Sequence, residues 1–129
     1  IKWLDRIDEG QPPLIFGDGK QTMDFIYIDD VVRANVLALE SQVTNDAFNV
    51  GTGRETSLNE LARLVLKLTK SSQQPEFREA RIVNQIPRRF ADTQKASRVL
   101  GFQSQVSLEE GLAQLITWRA NNLANLRKA

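Results

Sequence analysis

Between Leu14 and Val32 the sequence LIFGDGKQTMDFIYIDDVV changes structural type several times, and those changes restrict what the whole chain can be. Leu14-Ile15-Phe16 is a short apolar run of strand type. Gly17-Asp18-Gly19 follows as a turn built from residues that tolerate positive φ. Phe25-Ile26-Tyr27-Ile28 is β-branched and aromatic, the composition of a buried strand. Asp29 and Asp30 then offer carboxylates to the free N–H groups that open a helix. Strand, turn, strand and helix in succession point to a mixed α/β or α+β chain.

The flanking sequence continues that alternation. Ile1, Leu4 and Ile7 are spaced for a helix with no N-cap before it, so the chain reads as a piece cut from a longer one. Gly10-Gln11-Pro12-Pro13 ends this helix, because proline cannot occupy a helix interior. From Asp30 to about Ser41 a helix places Val32, Val36 and Leu39 on one face, with Ala34 and Ala38 small enough for close packing. Ala47-Phe48-Asn49-Val50 has strand character. Ser57-Leu58-Asn59-Glu60 is a capping box opening a helix with the stripe Leu58, Leu61, Ala62, Val65 and Leu68. Pro75 to Arg78 reads as an edge strand. Asp92 or Thr93 caps a short helix carrying Ala96, Val99 and Leu100, which Gly101 ends. A second capping box, Ser107 to Glu110, opens a helix with Leu108, Leu112, Leu115 and Ile116 on one face, running past Trp118.

Composition narrows the chemistry. At 129 residues the chain is one domain or a large piece of one. A net charge of +1 is too small for a general nucleic-acid binder. No apolar run is long enough to span a bilayer, and no signal peptide is visible. The chain has neither cysteine nor histidine, which excludes disulfides, thiolate catalysis, imidazole acid–base work and the usual zinc sites. No metal site is expected.

Few residues remain that could carry function. Gly51-Thr52-Gly53 invites a dinucleotide reading, but it lacks the third glycine and the acidic residue at the usual distance; a turn leading to a capped helix fits better. Asp29 and Asp30 are adjacent, so their side chains diverge and helix capping is the simpler role. Asp24 is either a buried acceptor or a site residue. Tyr27 is the only tyrosine, and position 31 is Val31, so no Tyr-x-x-x-Lys proton-transfer pair exists. Arg78, Arg81, Arg88 and Arg89 cluster in one irregular segment. Guanidinium groups bind diphosphates bidentately without titrating, so the cluster is a phosphate clamp, a solvated basic surface, or a set of ion pairs with Glu76 and Glu79.

In order along the chain, LIFGDGKQTMDFIYIDDVVRANVLALE, AFNVGTGRETSLNELA, RRFADTQKASRVLGF and SLEEGLAQLITW resemble the C-terminal part of extended short-chain dehydrogenases/reductases. More narrowly, they are similar to the NAD-dependent nucleotide-sugar epimerase/dehydratase family of the UDP-glucose 4-epimerase type. The resemblance covers nearly all of residues 1–129 and implies an α/β enzyme (α+β in this piece alone) with short strands and about four to five helices. In that family an N-terminal Rossmann part holds NAD and carries the catalytic tyrosine and lysine, while the C-terminal part binds the nucleotide diphosphate of the sugar. The resemblance therefore implies a nucleotide-sugar-binding portion, probed best by UDP-sugars, with no catalytic residue and no cofactor of its own. The complete enzyme is expected to be cytoplasmic and homodimeric, acting by transient hydride transfer to NAD. A non-catalytic nucleotide-sugar-binding or structural module is the alternative.

The same resemblance assigns site residues. Leu14 and Phe16 would lie against the nucleotide base. The family often has a diphosphate-binding arginine where this chain has Met23, and a thioether cannot neutralise phosphate. Gln21 could offer a hydrogen bond there, and Arg88 could replace the missing cation. Counting back from Ala91-Asp92 puts a second family arginine near Ile82, which makes Arg81 the nearest candidate; Asn84 or Gln85 would meet the ribose.

Overall fold

The computed structural model of the chain describes residues 1–80 and 86–126. Within them run α1 (Lys2–Asp8), β1 (Leu14–Phe16), β2 (Thr22–Met23), α2 (Ile28–Glu40), β3 (Thr56–Ser57), α3 (Leu58–Leu68), β4 (Glu76–Arg78), α4 (Gln94–Leu100) and α5 (Leu108–Leu126). This is a mixed α/β arrangement of short strands and five helices among the described residues. Strand β1 pairs in parallel with β4, Ile15 opposite Phe77, and β2 pairs antiparallel with β3. Thr22 is flanked on its other side by residue 88, with Thr22 N–H donating to Pro87 and Arg89 N–H donating to Thr22, both at 2.9 Å.

Local chemistry explains most boundaries. Gly17 and Gly19 adopt φ of +84° and +71°, and a Cβ on Gly19 would overlap the Asn59 amide. That amide donates to the Asp18 carbonyl at 2.9 Å and Asn59 N–H donates to the Gly19 carbonyl at 3.0 Å, so the start of α3 is seated on the turn. Both capping boxes form: Ser57 with Glu60, and Ser107 with Glu110. Asp92 accepts from Gln94 N–H at the start of α4, and Gly101 ends that helix in the left-handed conformation. Ala34, Ala96, Leu100 and Phe102 form a buried cluster, with Ile26, Leu37, Ala38, Phe48 and Val50 packed against it. Arg119 on α5 pairs with Asp5 (2.7 Å) and Asp8 on α1, and Lys67 on α3 pairs with Glu109 (2.8 Å).

Three expectations need correction. Phe25-Ile26-Tyr27-Ile28 is not a strand: residues 25–27 are irregular and in no ladder, and Ile28 begins α2. Ala47 to Val50 is likewise irregular. Both segments have strand composition, and a strand needs a neighbour to satisfy its backbone groups. Third, neither Asp29 nor Asp30 caps α2, which has no side-chain cap. Asp30 is instead buried, accepting from Gln105 and Val106 N–H at 3.0 Å and from Arg33 at 2.6 Å. Val32, Val36 and Leu39 share one face of α2 as the spacing predicts; that face lies exposed alongside Ile28, and the helix packs through Asp30 and Ala34.

Candidate functional site

Where the structure describes them, the candidate site residues named by the resemblance cluster around β2. Gln21, just before it, donates its amide to the Phe16 carbonyl at 2.9 Å, tying the end of β1 to the start of β2. Met23, half-buried, sits opposite Thr56. Arg88 lies beside Thr22, one residue along from Met23. Its Nε donates to Glu55 Oε1 at 2.8 Å and its Nη2 donates to the same oxygen, while Thr22 Oγ1 donates to Glu55 Oε2 at 2.7 Å. The guanidinium lies over the Phe90 ring, 5.2 Å from its centroid. Arg88 holds the Glu55 carboxyl below its ordinary value, helped by the Thr22 hydroxyl, and Glu55 in turn raises Arg88.

Gln21 and Met23 flank Thr22, the residue that pairs with Arg88 and shares Glu55 with it, and Phe16 is linked to Gln21 through its carbonyl. Leu14 and Phe16 flank the fully buried Ile15, and the Leu14 carbonyl accepts from the Trp3 indole at 2.9 Å. Arg81 and Asn84 lie outside the described residues, as does Gln85. Arg78 is engaged with Glu76 at 2.8 Å, as the ion-pair reading of the cluster had it. Sequence reasoning missed Glu55 and Phe90 as partners of Arg88. Their only local sign was a carboxylate beside Gly51-Thr52-Gly53 and an aromatic two residues after the arginine.

Two cavities adjoin this region. One of about 390 Å³ is lined by Phe25, Thr52, Arg54, Glu55 and Thr56 together with the loop before α5. The other, about 320 Å³, is lined by Asp24, Asn49, Val50, Arg89, Phe90 and Ala91. Neither lining includes Leu14, Phe16, Gln21, Met23 or Arg88.

Asp24 is a half-buried acceptor. Its carboxylate takes Thr52 N–H at 2.9 Å, the Thr52 hydroxyl at 2.6 Å and Gly53 N–H at 3.0 Å. A Cβ on Gly51 would come within 2.5 Å of Asp24 Oδ2 and 2.7 Å of Ala91 Cβ. The N–H groups a dinucleotide phosphate would need at this turn are therefore already used by the Asp24 side chain. Tyr27 packs over Gly111 and has no lysine beside it in sequence. Among the described residues no group of three or more carboxylates is placed to hold a metal ion, and no helix is long and apolar enough to cross a membrane.

Comparison with known proteins gives the chain a family. The model of the NAD dependent epimerase/dehydratase family matches residues 1–51. The UDP-glucose 4-epimerase of Mycolicibacterium smegmatis is 39% identical over 112 residues, covering 87% of this chain and 36% of that protein. The UDP-N-acetyl-alpha-D-glucosaminuronate decarboxylase of Bacillus cytotoxicus is 34% identical over 115 residues, covering 85% and 36%. A crystal structure of the Thermotoga maritima UDP-glucose 4-epimerase with UDP-glucose superposes with a TM-score of 0.88 at 38% identity, covering 95% of this chain and 39% of that one. The chain belongs to the NAD-dependent epimerase/dehydratase family of extended short-chain dehydrogenases/reductases. It spans a little over a third of the length of the curated relatives it matches.

Proposed function

We propose that this chain is the nucleotide-sugar-binding portion of an NAD-dependent nucleotide-sugar epimerase and that its ligand is a UDP-sugar. The observation that carries the reading is the placement of Arg88 beside Thr22 and Met23, which restores a cation at the strand edge. A guanidinium there neutralises diphosphate at any physiological pH and fixes its orientation through paired N–H donors. Leu14 and Phe16 give the base an apolar surface, and Gln21 holds the strand carrying Met23 against β1. The exposed row Ile28, Val32, Val36 and Leu39 supports a chain that packs against further protein.

In this reading the chain binds and orients, and the chemistry lies elsewhere. When bound to the complete enzyme, NAD supplies the hydride acceptor for transient oxidation of the sugar. Nucleotide binding far from the reacting carbon holds the sugar in register, so binding energy from this portion lowers the barrier of a step it does not perform. With no Tyr-x-x-x-Lys pair and with the Gly51-Thr52-Gly53 donors committed to Asp24, the chain alone neither binds NAD nor catalyses. The complete enzyme is cytoplasmic and homodimeric through its other portion.

Calorimetric titration with UDP tests the reading. The chain binds UDP, and Arg88→Ala weakens binding about tenfold, the loss expected for one charge-assisted phosphate contact. Equal affinity of the two proteins for UDP would remove Arg88 from the site.

A further inference from the structure

We propose that Glu55 is a positioning residue that presents Arg88 to the diphosphate of the bound nucleotide; this rests on the preceding reading of the β2 edge. A carboxylate beside a phosphate-binding arginine would ordinarily be a competitor. The hydrogen-bond pattern here argues for the opposite role.

A guanidinium carries five N–H donors on a rigid plane. Glu55 engages the Nε/Nη2 edge through one oxygen only, Oε1. Its second oxygen is held by the Thr22 hydroxyl at 2.7 Å. The carboxylate is thereby fixed to β2, and among the described residues it leaves three donors of Arg88 uncommitted: both on Nη1 and one on Nη2. These form the Nη1/Nη2 fork, the edge that matches two phosphate oxygens. The Phe90 ring supports one face of the plane.

The backbone fixes the remaining freedom. Arg88 is anchored between two hydrogen bonds to Thr22, the same residue that holds Glu55. The Arg88 side chain is still 65% exposed, against 28% for Glu55, so the arginine is restrained on its inner edge and open on its outer one. An arginine on a long flexible stem loses side-chain freedom when it captures an anion. Glu55 imposes that restriction before the ligand arrives, which is pre-organisation.

The test is a binding cycle with UDP and, separately, inorganic pyrophosphate, on the parent chain, Glu55→Gln, Arg88→Ala and the double variant. Positioning predicts that E55Q weakens both ligands about fivefold or more and that the same change in the R88A background has no effect. Thr22→Val, which frees Glu55 Oε2 without touching Arg88, shifts affinity in the same direction by less. A purely structural role for Glu55 would weaken binding equally in both backgrounds and overturns the proposal. Tighter binding by E55Q also overturns it, because Glu55 would then be a competitor. Both of those results leave the R88A effect, and so the nucleotide site, intact. A parent chain that binds neither ligand overturns the site and the positioning role together.

Discussion

Asp30 and Gly111 are the two residues whose roles are set most sharply by what lies far away in sequence. Asp30 is 1% exposed and serves the loop before α5, some 75 positions downstream, through Gln105 and Val106. Its place after Asp29 at a helix start suggests a cap, and nothing local says otherwise. Burial alone would raise its pKa; the Val106 N–H, Arg33 and the Gln105 N–H outweigh that and hold it below the ordinary 3.8. Asp30→Asn turns an amide toward those donors and should lower the unfolding free energy by about 2–3 kcal/mol, measured by urea denaturation at neutral pH. The sign of its pH dependence follows from the lowered pKa. The stabilisation is complete above the unfolded value of 3.8 and is lost as pH falls through the lower folded value, so the gap between parent and D30N should narrow only below about pH 4. Gly111 lies within α5, where alanine would ordinarily add about 1 kcal/mol of helix stability. A Cβ there would meet Tyr27 Cδ2 at 2.9 Å and Tyr27 Cβ and Cγ at 3.2 Å. The Tyr27 Cβ cannot swing away without its backbone, so Gly111→Ala should be a net loss of about 1 kcal/mol, read from the same denaturation curves.

Helices proved more legible than strands, for a physical reason. A capping box closes within four residues, so Ser57–Glu60 and Ser107–Glu110 declare their helices locally, and Gly101 marks an end in the same way. A strand is defined by its neighbour. The segments 25–28 and 47–50 have strand composition but no pairing partner among the described residues, whereas Leu14–Phe16 and Glu76–Arg78 find each other across most of the chain. Helix α2 shows a related limit. Periodicity located an apolar row at Val32, Val36 and Leu39 but not which side of the helix would be covered, and Leu39 is 86% exposed while Ala34 is 3% exposed. Leu39→Gln should accordingly leave stability within about 0.5 kcal/mol of the parent. Ala34→Leu, which overfills the contact with α4 and Phe102, should cost about 1–3 kcal/mol. Reversal of that order in thermal or urea unfolding would mean that α2 packs through its other face.

At the scale of the molecule, two kinds of information had to meet. The order of four motifs gave the family resemblance, and 39% identity to an epimerase with a TM-score of 0.88 to a UDP-glucose-bound one bears out the family. The candidate site was legible in part: Arg88 does stand beside the Met23 strand, but its dependence on Glu55, 33 positions away, required the fold. The central claim is that this chain holds the nucleotide end of the substrate while NAD and the proton-transfer groups belong to the rest of the enzyme. One titration separates these directly: amide chemical shifts of the labelled chain followed with UDP and, in a parallel sample, with NAD. The account predicts saturable shifts with UDP centred on Thr22, Met23, Arg88 and Arg89, and none with NAD. Saturable NAD shifts at Thr52 and Gly53, with UDP leaving the β2 edge unmoved, would contradict it.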